Sequence, residues 1–272
     1  MKYGNWRFIS SGYADAYTNM AIDEAIMTAY QNGLVPPTLR LYQWNPPGVS
    51  IGYFQKIEDA VNIEACKSLR VDAVRRLTGG RAVLHEHELT YSVVIGEDYP
   101  GMPQSVVESY KFICMGIMEG LKVLGVDIAL KSGKSKAPLL NSAACFDSAS
   151  MYEVLWQGKK LVGSAQIRKN GVILQHGSVL MDIDIEKQVK VLNSKNKFEL
   201  NLKHVFENRV TTLKKGTGRQ LKVTEIEQAI FNGFEQAFGI AGKPDELINR
   251  ELDRVNSNLL SKYKSYEWIN MK

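Results

Sequence analysis

Residues 152–180 read Y-E-V-L-W-Q-G-K-K-L-V-G-S-A-Q-I-R-K-N-G-V-I-L-Q-H-G-S-V-L, and this stretch decides how the chain folds. Tyr152 to Trp156 is rich in strand-forming residues, Gln157-Gly158 has the composition of a tight turn, and Lys160 to Arg168 returns as a second strand. Asn170-Gly171, the strongest two-residue hairpin signal in the chain, leads into a third strand, Val172 to Leu180. The spacing predicts an antiparallel meander.

The meander also carries candidate chemistry. Lys160 opens the run K-L-V-G-S-A, whose small residues let backbone approach a ligand closely. Just upstream, Cys145 lies among Ser142, Ala143, Ala144, Ser148, Ala149 and Ser150, a small-residue turn that leaves its sulfur room to be approached. A hairpin of this length brings Lys160 back toward that loop. A free thiol titrates near about 8.5, and an ammonium a few ångströms away lowers that by roughly one or two units, about 1–3 kcal/mol. Cys145 then becomes a nucleophile at neutral pH. The residues alone leave a second reading open, in which the cysteine is a small buried hydrophobe and the lysine a solvated strand residue.

At 272 residues, 44% hydrophobic and 23% charged, the chain has the composition of a globular protein with an ample core. Its N-terminus, M-K-Y-G-N-W-R, has no apolar run of signal-peptide type, and no run of about 18 apolar residues suggests a membrane span. Three scattered cysteines, Cys66, Cys114 and Cys145, contain no C-x-x-C pair, which argues against a disulfide framework and a zinc site and for a reducing cytoplasm. Cys66 and Cys114 fall in amphipathic helical stretches and read as packing residues. The net charge of +5 suits an acidic protein partner, and no basic tract with interleaved aromatics points to nucleic acid.

Working outward, Thr18 or Asn19 is predicted to cap a helix to about Tyr30 that ends at Asn32-Gly33. Strands follow at Thr38 to Trp44 and Val49 to Tyr53, then a helix at Asn62 to Leu69 and a strand from about Val71 to Arg75. Next comes R-R-L-T-G-G-R-A-V-L-H, residues 75–85, whose double glycine reads either as a plain turn or as a loop curled over a ligand. Leu89 to Ile95 is a buried strand, and Gln104 to Leu124 is the longest helix. Lys131 to Lys136 reads as a mobile loop first and a docking patch second. Ile185 to Val191 is a short helix, Thr224-Glu225-Ile226-Glu227 a capping box that opens a helix to Phe238, and Asp245 to Tyr263 a helical tail packed back on the domain. His85 and His87 alternate faces on a strand and cannot share one metal ion. His176 reads equally as a site residue and as a hydrogen-bonded structural histidine.

In combination, R-R-L-T-G-G-R-A-V-L-H, E-L-T-Y-S, A-C-F-D-S, G-K-K-L-V-G-S-A-Q and G-V-I-L-Q-H-G-S resemble the biotin/lipoate protein ligase superfamily over residues 6–240, most of all its LipM-type octanoyltransferases. The resemblance implies an α/β fold of the α+β kind, with mixed and antiparallel sheets and packed helices. It implies a catalytic domain at 1–245 and a C-terminal helical extension at 246–272. It implies transfer of an octanoyl group from octanoyl-acyl carrier protein, through a cysteine thioester, to a lysine of a lipoyl domain, chiefly glycine cleavage H protein. No cofactor, metal, membrane or nucleic acid is implied. Cys145 would carry the thioester and Lys160 would depress its pKa. Arg76, Thr78, Gly79, Gly80, Arg81, His85, Gly163, Ser164, Ala165, His176, Gly177 and Ser178 would contact the acyl group, in a tunnel lined by Val83, Val162 and Ala165. The chain departs from the pattern at Leu77 and Ala149, where proline is usual. Other readings are an ATP-dependent lipoate–protein ligase, an octanoyl amidotransferase and a catalytically silent binder of lipoyl domains. A ligase often has an extra C-terminal domain, for which the tail after Phe238 is too short, and this favours the transferase.

Overall fold

The computed structural model describes residues 4–126, 128–132, 152–192 and 199–271. The Cys145 loop lies outside these residues, as do Gly133 to Lys136. Eleven strands are found among the described residues: β1 (Asn5–Ala14), β2 (Thr38–Trp44), β3 (Gly48–Ile51), β4 (Asp72–Arg75), β5 (Val83–His85), β6 (Glu88–Gly96), β7 (Ile128–Ser132), β8 (Tyr152–Trp156), β9 (Lys159–Lys169), β10 (Val172–Leu180) and β11 (Ala241–Pro244). Eight of them form one mixed sheet in the order β11-β1-β2-β6-β10-β9-β8-β7, and β4-β3-β5 form a small second sheet. The predicted meander is β8-β9-β10, antiparallel throughout. Both of its turns put two successive residues at positive φ, Gln157 and Gly158 at 49° and 77°, Asn170 and Gly171 at 52° and 77°. That conformation matches the twist of the flanking strands and explains why these pairs signal hairpins.

Alternation along the central strands sorts the molecule into layers. Leu89, Tyr91, Val93 and Ile95 of β6 face one way, into a core closed by the helices Val106–Val123 and Val223–Phe238. Val94 of β6 and Val172 and Leu174 of β10 face the other way, toward the first helix, Ala16–Gln31. A third core lies under the small sheet and includes Val49, Ile51, Val83, Leu84 and Val189.

Some local expectations shift. The first helix is capped by Asp15, whose Oδ1 accepts the Thr18 N–H at 2.7 Å. Asn19 is occupied instead by the Ala14 and Gln43 carbonyls, to which its Nδ2 donates. The box predicted at Thr224 to Glu227 lies two residues earlier, with Lys222 at the cap position, and the reciprocal carboxylate is Glu225, which accepts the Lys222 N–H at 2.9 Å. Lys131 and Ser132, read as loop, belong to β7, an edge strand paired with β8. The strand predicted at Val49 to Tyr53 stops at Ile51, because Gly52 to Gln55 closes a tight turn with the Gln55 N–H on the Gly52 carbonyl at 3.0 Å.

Candidate functional site

Between the large sheet and the layer made by the first helix and the small sheet lies a narrow cavity of about 30 Å³. Eight of the residues singled out in the sequence line it: Arg76, His85, Gly163, Ser164, Ala165, His176, Gly177 and Ser178. Strand register brings them together, since Gly163 lies opposite Ser178 and Ala165 opposite His176. Val83 lines the cavity as expected, whereas Val162 packs in the core beneath the two long helices.

Ordinary alternation puts Val162 on the opposite face from Gly163 and Ala165, and a bulge brings Lys160 onto their side. Between the pairs Leu155–Lys160 and Val154–Val162, β9 advances two residues while β8 advances one. An extra residue reverses the alternation that follows it. Lys160 therefore shares a face with Gly163 and Ala165, and Val162 takes the opposite face. Lys160 is buried, 2% exposed, and its Nζ lies 2.9 Å from the Glu153 carboxylate. Its carbonyl accepts the Thr211 N–H at 3.0 Å, which fixes the start of the strand.

Arg76 organises the cavity floor. Its Nε donates to Thr78 Oγ1 at 3.0 Å, Nη1 donates to the Ser50 carbonyl and hydroxyl, and Nη2 donates to the Gly79 and Arg81 carbonyls at 2.7 and 2.8 Å. The guanidinium holds the Gly79-Gly80 loop in shape through its carbonyls. Gly80 has φ +92°, and a Cβ on it would sit 2.9 Å from Arg76 Nη2, so two constraints require glycine there.

Two hydroxyl–histidine–carboxylate chains run from this arginine. Thr78 Oγ1 lies 2.7 Å from His176 Nε2, and His176 Nδ1 lies 3.3 Å from Asp23 Oδ2. Asp23 also accepts from Arg40 at 2.8 Å, Tyr42 at 2.9 Å and Ser92 at 2.8 Å. Burial would raise the Asp23 carboxyl, but the hydrogen bond from His176 and the Arg40 charge outweigh it and hold the group below its ordinary value. Burial lowers His176 despite that carboxylate, so the imidazole is neutral, with Nδ1–H toward Asp23 and Nε2 accepting from Thr78. In the second chain, Ser50 Oγ lies 2.7 Å from His85 Nε2 and His85 Nδ1 lies 2.7 Å from Glu88 Oε1. Trp44 stacks on His85 with ring centroids 4.0 Å apart and bonds Thr90 at 2.7 Å.

Met20, Tyr42, Trp44, Ser50 and Thr90 complete the cavity wall and were not singled out in the sequence; nor were the supporting Asp23, Arg40 and Glu88. Asp23 had a signal, an acid set among the buried Met20, Ile22, Ala25 and Ile26 of one helix. Cys66 and Cys114 are packing residues, and burial pushes their thiols up to about 11 and about 12.

A cavity under a mixed sheet, with the arginine that holds a glycine loop in its wall and a buried lysine on the strand that supplies Gly163 to Ala165, defines a class, and comparison with known proteins gives it a name. The family model described as the lipoyl protein ligase A/B catalytic domain matches residues 15–235, and the chain belongs to that family. Within it, the chain stands with the LipM octanoyltransferases. It is 46% identical to octanoyltransferase LipM of Kyrpidia tusciae over 97% of both chains. It is 40% identical to the proteins of that name from Staphylococcus aureus (97% of this chain, 98% of that) and Bacillus subtilis (98% and 99%). Among solved structures, the bipartite lipoate protein ligase of Thermoplasma acidophilum superposes with TM-score 0.81 at 25% identity, covering 99% of this chain and 97% of that one. A lipoate-protein ligase A bound with ATP superposes with TM-score 0.78 at 24% identity over 98% of each chain, a likeness of fold. A ligase chain can thus be matched almost end to end, so the length of the tail does not separate transferase from ligase.

Proposed function

We propose that this chain moves an octanoyl group from octanoyl-acyl carrier protein to a lysine of a lipoyl domain, with glycine cleavage H protein as the principal acceptor. The observation that carries the reading is full-length similarity to several octanoyltransferases LipM, at 40–46% identity. In the first half-reaction the Cys145 thiolate attacks the donor thioester carbonyl, the donor C–S bond breaks, and the carrier leaves as a thiol. In the second, the acceptor amine attacks the Cys145 thioester, an amide forms, and the thiolate is regenerated. Lys160 stands on the cavity face of β9: as an ammonium it favours the thiolate and gives its proton to the departing carrier sulfur, and as the neutral amine so formed it takes the acceptor amine's proton. The cavity removes the chain's methylenes from water, each worth about 0.8 kcal/mol. Two exchanges at a cysteine suffice for a thioester-to-amide transfer, and no nucleotide is needed.

The ATP-dependent ligase reading draws on the solved neighbours of the same fold. One experiment separates the two: the purified protein, octanoyl-acyl carrier protein and apo lipoyl domain are mixed without ATP, and the acceptor is weighed. Gain of one octanoyl mass supports the transferase. Modification that appears only with free octanoate and ATP overturns it in favour of the ligase.

A further inference from the structure

The buried guanidinium of Arg75 takes no part in the cavity, and every hydrogen bond it donates ends on a backbone carbonyl. Nη1 reaches Gly52, Tyr53 and Gln55 at 3.1, 2.7 and 2.7 Å. Nε reaches Trp268 and Ile269 at 3.0 and 3.2 Å, and Nη2 reaches Ile269 at 2.7 Å. In return, Trp268 Nε1 donates to the Arg75 carbonyl at 2.9 Å. One side chain thus joins the turn after β3 to the last described helix, Tyr266–Ile269.

Both ends of this staple lead to fixed points. On the tail side, Lys262 and Tyr263 both bond Glu24 of the first helix, at 2.6 and 2.8 Å to Oε2. Trp268 packs edge-on against Tyr263 and Tyr53. On the other side, the turn supports the Gly79-Gly80 loop, which lies behind the cavity wall: the Gly79 carbonyl holds Arg76, and Gly80 packs near Ala165. The Tyr53 N–H donates to the Thr78 carbonyl at 2.9 Å, and the Arg76 N–H donates to the Ile51 carbonyl at 3.1 Å. Gly52 packs so tightly on Gly80 that a Cβ there would collide with the Gly80 carbonyl oxygen. The Phe54 ring, 82% exposed, lies in contact range of a Cβ built at Gly79.

We propose that Arg75 and Trp268 are positioning residues: a clasp between the C-terminal helix and the Gly52–Gln55 turn sets the Gly79-Gly80 loop behind the cavity wall, and so sets how sharply the enzyme discriminates among chain lengths. The clasp rests on the octanoyl-transfer reading. A guanidinium is required because two carbonyl clusters lie on different edges of one planar fork, a geometry an ammonium cannot reproduce. A wall displaced by about an ångström changes rates by up to about 100-fold, and unequally for chains that fill the cavity to different depths.

Arg75→Lys and Trp268→Leu are the variants that test this, in the full chain, with hexanoyl, octanoyl and decanoyl carrier-protein thioesters. The readout is the ratio of kcat/KM among the three donors. This ratio is indifferent to the fraction of protein folded, because loss of active enzyme scales every donor equally. Loss of the clasp is expected to flatten the octanoyl preference by about three-fold or more in each variant. Backbone amides of residues 52–55 and 78–81 are expected to exchange faster while those of β6 and β10 do not change. Ratios that stay at the unmodified protein's values in both variants, whether total activity falls or holds, overturn the clasp. Failure of the unmodified protein to transfer any chain would overturn the octanoyl reading instead, so the two failures are told apart.

Discussion

Cysteine is the residue on which the proposed chemistry turns, and the two cysteines among the described residues are both buried. Cys66 and Cys114 are 3% and 1% exposed, and burial disfavours their thiolates. Iodoacetamide at pH 7.5 is therefore expected to leave both unmodified in the folded protein, with label confined to the peptide that contains Cys145; peptide mass mapping checks this. Label on Cys114 without denaturant would contradict its placement in the core. His176 supplies the pH dependence. Its folded pKa lies below the ordinary 6.5, so as pH falls past that value the unfolded chain takes up a proton that the folded site refuses. Stability from this group is full above about 6.5 and declines as pH falls toward the folded pKa. Melting temperature is expected to drop between pH 7 and 5.5, and His176→Gln to reduce that slope; equal slopes would show that His176 is not buried neutral. In the sequence His176 had two open readings, because its partners Thr78 and Asp23 lie far from it in the chain and no local pattern announces them.

At the level of elements, the close fit of β9 on β10 builds the cavity wall. A Cβ on Gly177 would sit 2.5 Å from the Gly163 carbonyl oxygen and from Ser164 Oγ, and 2.8 Å from the Tyr91 ring. Gly177→Ala is expected to cost about 1–3 kcal/mol in urea unfolding and to impair transfer, because the strands must part where the acyl group would lie. A variant of unchanged stability would mean that the register given for the pair is wrong. These strands were legible because Gln157-Gly158 and Asn170-Gly171 are local signals. The strands β1 and β11 were not, for two reasons. They pair in parallel across the length of the chain, Asn5 with Ala241, and β1 carries an irregularity between Ser10 and Tyr13 that breaks its alternation. The bulge in β9 was equally invisible, and it decided that Lys160 shares a face with Gly163 and Ala165.

Across the whole molecule, the tail is tied to the sheet by a buried pair, with Arg7 Nη2 2.6 Å and Nη1 2.9 Å from the two Glu251 oxygens. The same tail continues through Trp268 to the turn that supports the glycine loop. Motif order along the chain identified the family and most of the cavity wall. It did not reveal the two carboxylates and the arginine behind that wall, Asp23, Glu88 and Arg40, since single ionisable residues in apolar elements form no motif.

The central claim is that one cysteine carries the acyl group between two proteins, and intact mass tests it most directly. The protein is incubated with octanoyl-acyl carrier protein in the absence of ATP and acceptor, then weighed before and after hydroxylamine. The account predicts one added octanoyl group, removed by hydroxylamine, mapped to Cys145 and lost in Cys145→Ala. A stable adduct elsewhere, or none while the acceptor is still modified, would contradict it.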